Sequence, residues 1–243
     1  MKKTLLLFSL LGCLLAGGAN AQNWNQLIKT VSSQRAIPSS VGRANSDRFG
    51  FSVAIDGDYA VIGAIGEDDD ATGLNNLPSA GAAYIFKKNT GTGNWELLKK
   101  IVASDRAASD AFGNSVAISG STIVVGAANE DEDAAGMNNA AGAGSAYVFS
   151  QNEGGTNNWG QVKKIVASDR AANDNFGNSV AISGSTIVVG AYLEDHDAAG
   201  MNFANNAGSA YVFSKTRAVR TTGDRSKKSS PPIGQQLMPL ALP

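Results

Sequence analysis

The chain has 243 residues, 28 of them glycine, with 20 Lys and Arg against 21 Asp and Glu. Lys2, Lys3 and six basic residues beyond Ser214 account for eight of the cations, so residues 22–214 carry 12 basic residues against 20 acidic ones. An acidic body without a basic stripe argues against nucleic acid as a partner, and no apolar run is long enough for a transmembrane helix.

Residues 1–21 read as a cleaved signal peptide. Lys2 and Lys3 precede an apolar run over 5–16, and Ala19-Asn20-Ala21 supplies an A-x-A cleavage site. Leu10-Leu11-Gly12-Cys13 offers the alternative of a lipidated cysteine, but Leu14 and Leu15 continue the apolar run past it. Cys13 is the sole cysteine, so the mature chain is expected to be secreted or held at the cell surface without disulfides. Residues 22–46 read as an outer strand and a linker, because Asn23-Trp24-Asn25-Gln26-Leu27-Ile28-Lys29-Thr30-Val31 resembles Asn94-Trp95-Glu96-Leu97-Leu98-Lys99-Lys100-Ile101-Val102.

The rest of the body is one unit written three times: 47–109, 110–173 and an incomplete 174–214. DRFGFSVAIDGDYAVIGA at 47–64 recurs as DAFGNSVAISGSTIVVGA at 110–127 and DNFGNSVAISGSTIVVGA at 174–191. Each unit predicts short strands in order. In the second they are 114–120, 121–127, 145–150 and, leading into the third unit, 159–168. SVAIS alternates apolar with small or polar residues, as a strand with one buried face does, whereas TIVVG is continuously apolar and predicts a central strand covered on both faces. Ser119-Gly120-Ser121 and Asp56-Gly57 mark tight hairpins.

Four strands per unit at this period predict an all-β fold, a partial β-propeller of about three four-stranded blades. Its two open blade edges offer sites of self-association. Propellers usually have roughly four to eight blades. The basic, aperiodic stretch 215–243 reads as a disordered tail, either natural or the product of a truncated or frame-disrupted gene.

Phe112-Gly113 followed by Val125-Gly126-Ala127, with counterparts in all three units, resembles the FG-GAP repeat, the blade of integrin alpha-chain propellers and of many bacterial secreted proteins. The resemblance covers about residues 47–213. It implies a propeller of about seven blades that serves adhesion or ligand binding at the cell surface, often with calcium in some blades. The calcium-binding form of the family carries a D-x-D-x-D-G-type loop between the FG and GAP strands. Here that turn is Asp56-Gly57-Asp58, Ser119-Gly120-Ser121 or Ser183-Gly184-Ser185, so the family's calcium site does not carry over.

The acidic residues gather instead just after Gly-Ala. Glu67, Asp68 and Asp70, then Glu130, Asp131 and Asp133, then Glu194, Asp195 and Asp197 are candidate Ca²⁺ ligands, because the loops combine carboxylates, amides and carbonyls, and Ca²⁺ takes about six to eight oxygens. The competing reading is of solvated acidic turns that keep blade edges apart. A catalytic site is not expected. His196 is the only histidine and stands where the other units have Asp69 and Glu132, and the carboxylate clusters recur with the unit instead of forming one place.

The recurring aromatics, among them Phe112, Tyr147 and Trp159, are expected to pack blade on blade, and Asp110 and Asp174 to cap the turn into the FG strand. Lys99-Lys100 and Lys163-Lys164 are expected on a solvated outer strand. The expectation is an exported module for binding, adhesion or scaffolding, with an extracellular protein or glycan as ligand. The alternative is an accessory repeat fragment of a larger secreted hydrolase.

Overall fold

The computed structural model describes residues 46–196 and 203–215, within the larger of the chain's two units, Ser32–Pro243. The expected leader, the strand expected at 23–31, Asp197 and the tail beyond Lys215 fall outside the described residues. Among the described residues all regular structure is β, and no helix is long and apolar enough to cross a membrane.

Three antiparallel sheets follow one another along the chain, each with its strands in sequence order. The first holds β1 (Phe49–Asp56), β2 (Tyr59–Ala64), β3 (Ala82–Lys88) and β4 (Trp95–Ile101). The second holds β5 (Phe112–Ser119), β6 (Thr122–Ala127), β7 (Ser145–Ser150) and β8 (Gly160–Ile165), and the third β9 (Phe176–Ser183), β10 (Thr186–Ala191) and β11 (Ser209–Ser214). Asp56 pairs with Tyr59 and Ser119 with Thr122, which leaves two-residue turns whose first members, Gly57 and Gly120, have φ of +55° and +54°. A positive φ at the first central position alone is the II′ pattern, which suits the twist of a hairpin.

The Phe-Gly pair has a structural reason. Between Phe112↔Ala127 and Ser115↔Gly126 the register slips, and Gly113 sits in that bulge at φ +90°, a conformation that favours glycine. The bulge turns Phe112 inward, where its ring meets Tyr147 at 5.5 Å and Phe149 at 6.0 Å edge to face. Phe176 repeats the arrangement with Tyr211 and Phe213, and Phe49 with Tyr84 and Phe86.

These aromatic faces pack on the aliphatic face of the sheet before. Val61, Ala83, Ile85 and Ile101 of the first sheet share a core with Phe112, Val116, Tyr147 and Trp159 of the second. Val124, Ala146, Val148 and Ile165 do the same with Phe176, Tyr211 and Phe213 of the third. Each fully buried Val, Ile or Phe contributes about 1.5–3 kcal/mol, so these two seams stabilise the stack, and a third buried cluster of Ala64, Ala82, Tyr84 and Phe86 with Phe49 lies on the other face of the first sheet.

Side-chain size is restricted where the sheets approach most closely. A methyl group on Gly63 would overlap the carbonyl oxygen of Gly113, and one on Gly126 that of Gly177. The same two carbonyls accept hydrogen bonds from Ser52 Oγ and Ser115 Oγ, each at 2.7 Å. The Gly of Val-Gly-Ala is therefore the gap into which the next sheet's Phe-Gly carbonyl fits.

The lysine pairs depart from the expected solvated strand. Lys100 and Lys164 are buried on β4 and β8, while Lys163 is exposed. Strand alternation sends successive lysines to opposite faces, and the inward one is tolerated because it meets a buried carboxylate.

Candidate functional site

The long loop between the second and third strands of a sheet, residues 65–81 in the first and 128–144 in the second, runs without strand structure of its own. An isolated bridge between Asp69 and Asn76 ties the first of them. The acidic residues of these loops divide into three kinds by position. The first, Glu67, Glu130 or Glu194, turns inward and is buried. Glu130 accepts from Tyr147 Oη at 2.7 Å and from the Glu132 amide at 3.0 Å, and pairs with Lys164 Nζ at 3.1 Å. Glu67 meets Tyr84 Oη at 2.5 Å and Lys100 Nζ at 3.2 Å in the same way. Burial and the Glu130 charge push the Tyr147 phenol well above its ordinary value, so it stays a donor.

The second kind, Asp68, Asp131 or Asp195, closes the loop across its base. Each accepts from a backbone amide eleven residues on, at Ser79, Gly142 and Asn206, over 2.7, 2.7 and 2.6 Å. The third kind folds the tip. Asp133 Oδ1 accepts from the amides of Ala135 at 2.8 Å and Met137 at 3.1 Å, and Asn138 Nδ2 donates to its other oxygen. These donors hold the Asp133 carboxyl down at about 2. Asp70 is lowered likewise, first by the Thr72 hydroxyl and also by Asn75 and the Leu74 and Thr72 amides.

An arginine from the next linker locks the loop from outside. Arg106 donates to the carbonyls of Asn75 at 2.9 Å and Asp68 at 2.7 Å, and Arg170 to those of Asn138 and Asp131, both at 2.7 Å. Backbone bonds from Ser109, Ala111 and Phe112 to Pro78, Ser79 and Ala80 join loop to linker, and Asn173, Asn175 and Phe176 do the same in the next sheet. The loops thereby form a continuous rim along one end of the strands. Asp110 and Asp174 cap the linker by accepting from the Ala107 and Ala171 amides, each at 2.5 Å. Burial pushes both carboxyls up, Asp110 to about 7 and Asp174 to about 6, and neighbouring carboxylates add to the effect.

Among the described residues the carboxylates that converge as a cation would require are Asp105, Glu130 and Glu132, with ligand oxygens within 4.8 Å of one another. The Lys164 ammonium already bonds two of them, at 2.7 Å to Asp105 and 3.1 Å to Glu130. At the FG–GAP hairpin, where the calcium-binding form of the family has its loop, Asp56 instead accepts from the Gly120 amide at 2.6 Å, across to the next sheet. His196 Nδ1 lies 3.4 Å from Glu194, and its ring packs against Phe203.

Two further features of the rim were not legible from composition. Arg106 and Arg170 lie in a repeated Ser-Asp-Arg-Ala-Ala, a signal that alignment of the units supplies. Leu74 and Met137 occupy the same place in successive loops and are 82 % and 79 % exposed, at tips that hydrogen bonds otherwise pin.

Three similar sheets stacked face to face, each with Phe-Gly in a bulge and Gly-Ala beside the next sheet, define a β-propeller-like repeat module. The family profile described as FG-GAP repeat matches residues 34–86, 95–149 and 159–213, and the chain belongs to that family. No curated protein matches the chain.

Proposed function

We propose that the chain is an exported binding and adhesion module, acting at the cell surface or outside the cell, whose contact surface is the loop rim. The observation that carries this reading is the repeated exposure of Leu74 and Met137 on ordered tips flanked by carboxylates. Isolated exposed apolar residues are ordinary, but the same exposure at the same place in successive units makes a spaced row. Such a row suits an extracellular protein that offers apolar pockets edged by basic groups. Support for export comes from residues 1–21, whose charge, apolar run and A-x-A site follow a signal peptide.

The rim's carboxylates, in this reading, serve the loop itself. Glu130, Asp131 and Asp133 spend their oxygens on Tyr147, Lys164 and backbone amides, and the equivalents in the first loop do likewise. Loop order then comes from hydrogen bonds, which a calcium ion would have to displace.

The test is saturable binding of the labelled protein to intact producer cells and to a panel of immobilised extracellular proteins and glycans. The double substitution Leu74→Ser with Met137→Ser is expected to weaken binding at least about tenfold, the loss of about 1.4 kcal/mol, at unchanged Tm. Binding that ignores both substitutions, or none across the panel, contradicts the reading.

A further inference from the structure

We propose that Lys164 and Asp105 join in an isopeptide bond, an amide between their side chains that the folded chain makes on itself with Glu130 as proton carrier. The three residues come from separate stretches: Asp105 from the linker between the first two sheets, Glu130 from the loop after β6, and Lys164 from β8. Their polar atoms meet at one point. Lys164 Nζ lies 2.7 Å from Asp105 Oδ2 and 3.1 Å from Glu130 Oε1.

The fold fixes the nucleophile and the proton acceptor. Lys164 stands opposite Tyr147 in the register of β7 and β8, and its ammonium lies 5.6 Å from the centre of the Tyr147 ring. The side chain of Lys164 is 5 % exposed and that of Glu130 1 % exposed, so little water competes for either. Glu130 cannot turn away, because the Tyr147 hydroxyl and the Glu132 amide both donate to it. Amine, proton acceptor and carboxyl are thus assembled before any reaction, which removes the entropic cost of bringing them together.

Asp105 differs from the aspartates of the rim. Asp131 and Asp133 accept from backbone amides, which favour the anion. Among the described residues no amide donates to Asp105: its Oδ2 meets the lysine, and its Oδ1 is buried without a hydrogen-bond partner. A buried carboxylate oxygen that lacks a donor is costly, and conversion to a neutral amide carbonyl lowers that cost. The Asp105 side chain is 29 % exposed, which gives the released water a way out.

The step balances without an outside reagent. Glu130 takes a proton from the Lys164 ammonium, the freed lone pair attacks Cγ of Asp105, and the new C–N bond forms as the Cγ–Oδ2 bond breaks. Of the three ammonium protons, one stays on the amide nitrogen and two pass through Glu130 to the departing oxygen, which leaves as water. Glu130 ends as the carboxylate it was at the start. The two residues are 59 apart in sequence, so the bond closes a covalent loop around β5, β6, β7 and most of β8. In a chain whose sole cysteine is Cys13, such a link constrains the unfolded state as a disulfide would.

The experiment is mass spectrometry of the purified full chain, denatured, intact and after trypsin. The intact mass should fall short of the sequence by one water molecule, trypsin should no longer cut after Lys164, and a branched peptide should join Lys164 to Asp105. Lys164→Arg keeps the positive charge but should restore the full mass. Glu130→Gln, shown by circular dichroism to be folded, should do the same.

Asp105→Asn keeps the electrophilic carbon and should form the same amide with loss of ammonia, which tests the chemistry even if Glu130→Gln does not fold. A wild-type chain of full mass overturns the proposal. So does a water deficit that persists in Lys164→Arg, the mark of cyclisation elsewhere, a bond that survives Glu130→Gln, or a link made by Lys100 instead. None of these positions is Leu74 or Met137, so the result stands or falls separately from ligand binding at the rim.

Discussion

Glu130 has both oxygens engaged inside the protein, one by the Tyr147 hydroxyl and the other by the Lys164 ammonium, while Lys164 also reaches Asp105. The acidic cluster was visible in the sequence, but its inward member was not, because Glu130 and Asp131 look alike in a run of carboxylates. What separates them is the aligned lysine and tyrosine of the neighbouring strands, residues distant in sequence. Asp110 shows the cost of gathering carboxylates under cover. Burial comes first, with the charges of Glu130, Asp105 and Asp131 beside it, and its carboxyl rises to about 7. A folded-state value above the unfolded value near 3.9 means that the fold binds this proton more tightly, so its contribution to stability is fully present below about pH 4 and lost as the pH rises through about 7. Asp110→Asn should remove that dependence. Thermal unfolding followed from about pH 5 to about pH 8 should show the wild type losing Tm with rising pH relative to the variant. Parallel profiles would count against a buried, protonating Asp110.

The strands themselves were the most legible elements. TIVVG at 122–126 was expected to be covered on both faces, and β6 is buried from Ile123 to Ala127. The identical β10 is not, since Val188 lies on a face that no further sheet covers among the described residues. Alternation along a strand decides which residues point together, and the neighbouring sheet decides whether they are buried. The same distinction governs glycine. Gly126 has an ordinary negative-φ backbone and nothing local requires it, yet a methyl group there would strike the Gly177 carbonyl of the next sheet. Gly126→Ala should therefore destabilise the stack by about 1–3 kcal/mol, the usual cost of overpacking a close contact. Chemical denaturation should report it as a lower midpoint with an unchanged slope. An unaltered midpoint would mean that the sheets do not approach this closely.

Across the whole molecule, the sheets, hairpins and order of the stack could all be read from the repeat, while the rim could be read only as acidic. Two readings of those loops fitted the sequence: ligands waiting for calcium, or turns held without it. The separation depends on where each oxygen points, and that is set by backbone amides eleven residues away, by Tyr147 and Lys164, and by an arginine from the next linker. In the reading advanced above, these bonds alone hold the rim rigid and leave its apolar tips free to bind. The Tm of the purified protein in millimolar calcium against chelator tests this at its root. The two values should agree within about 1 °C, because an ion that binds the folded state appreciably would add stability in proportion to RT ln(1 + [L]/Kd). A rise of several degrees, lost on Asp131→Asn or Asp133→Asn, would contradict that reading and make the rim a calcium site.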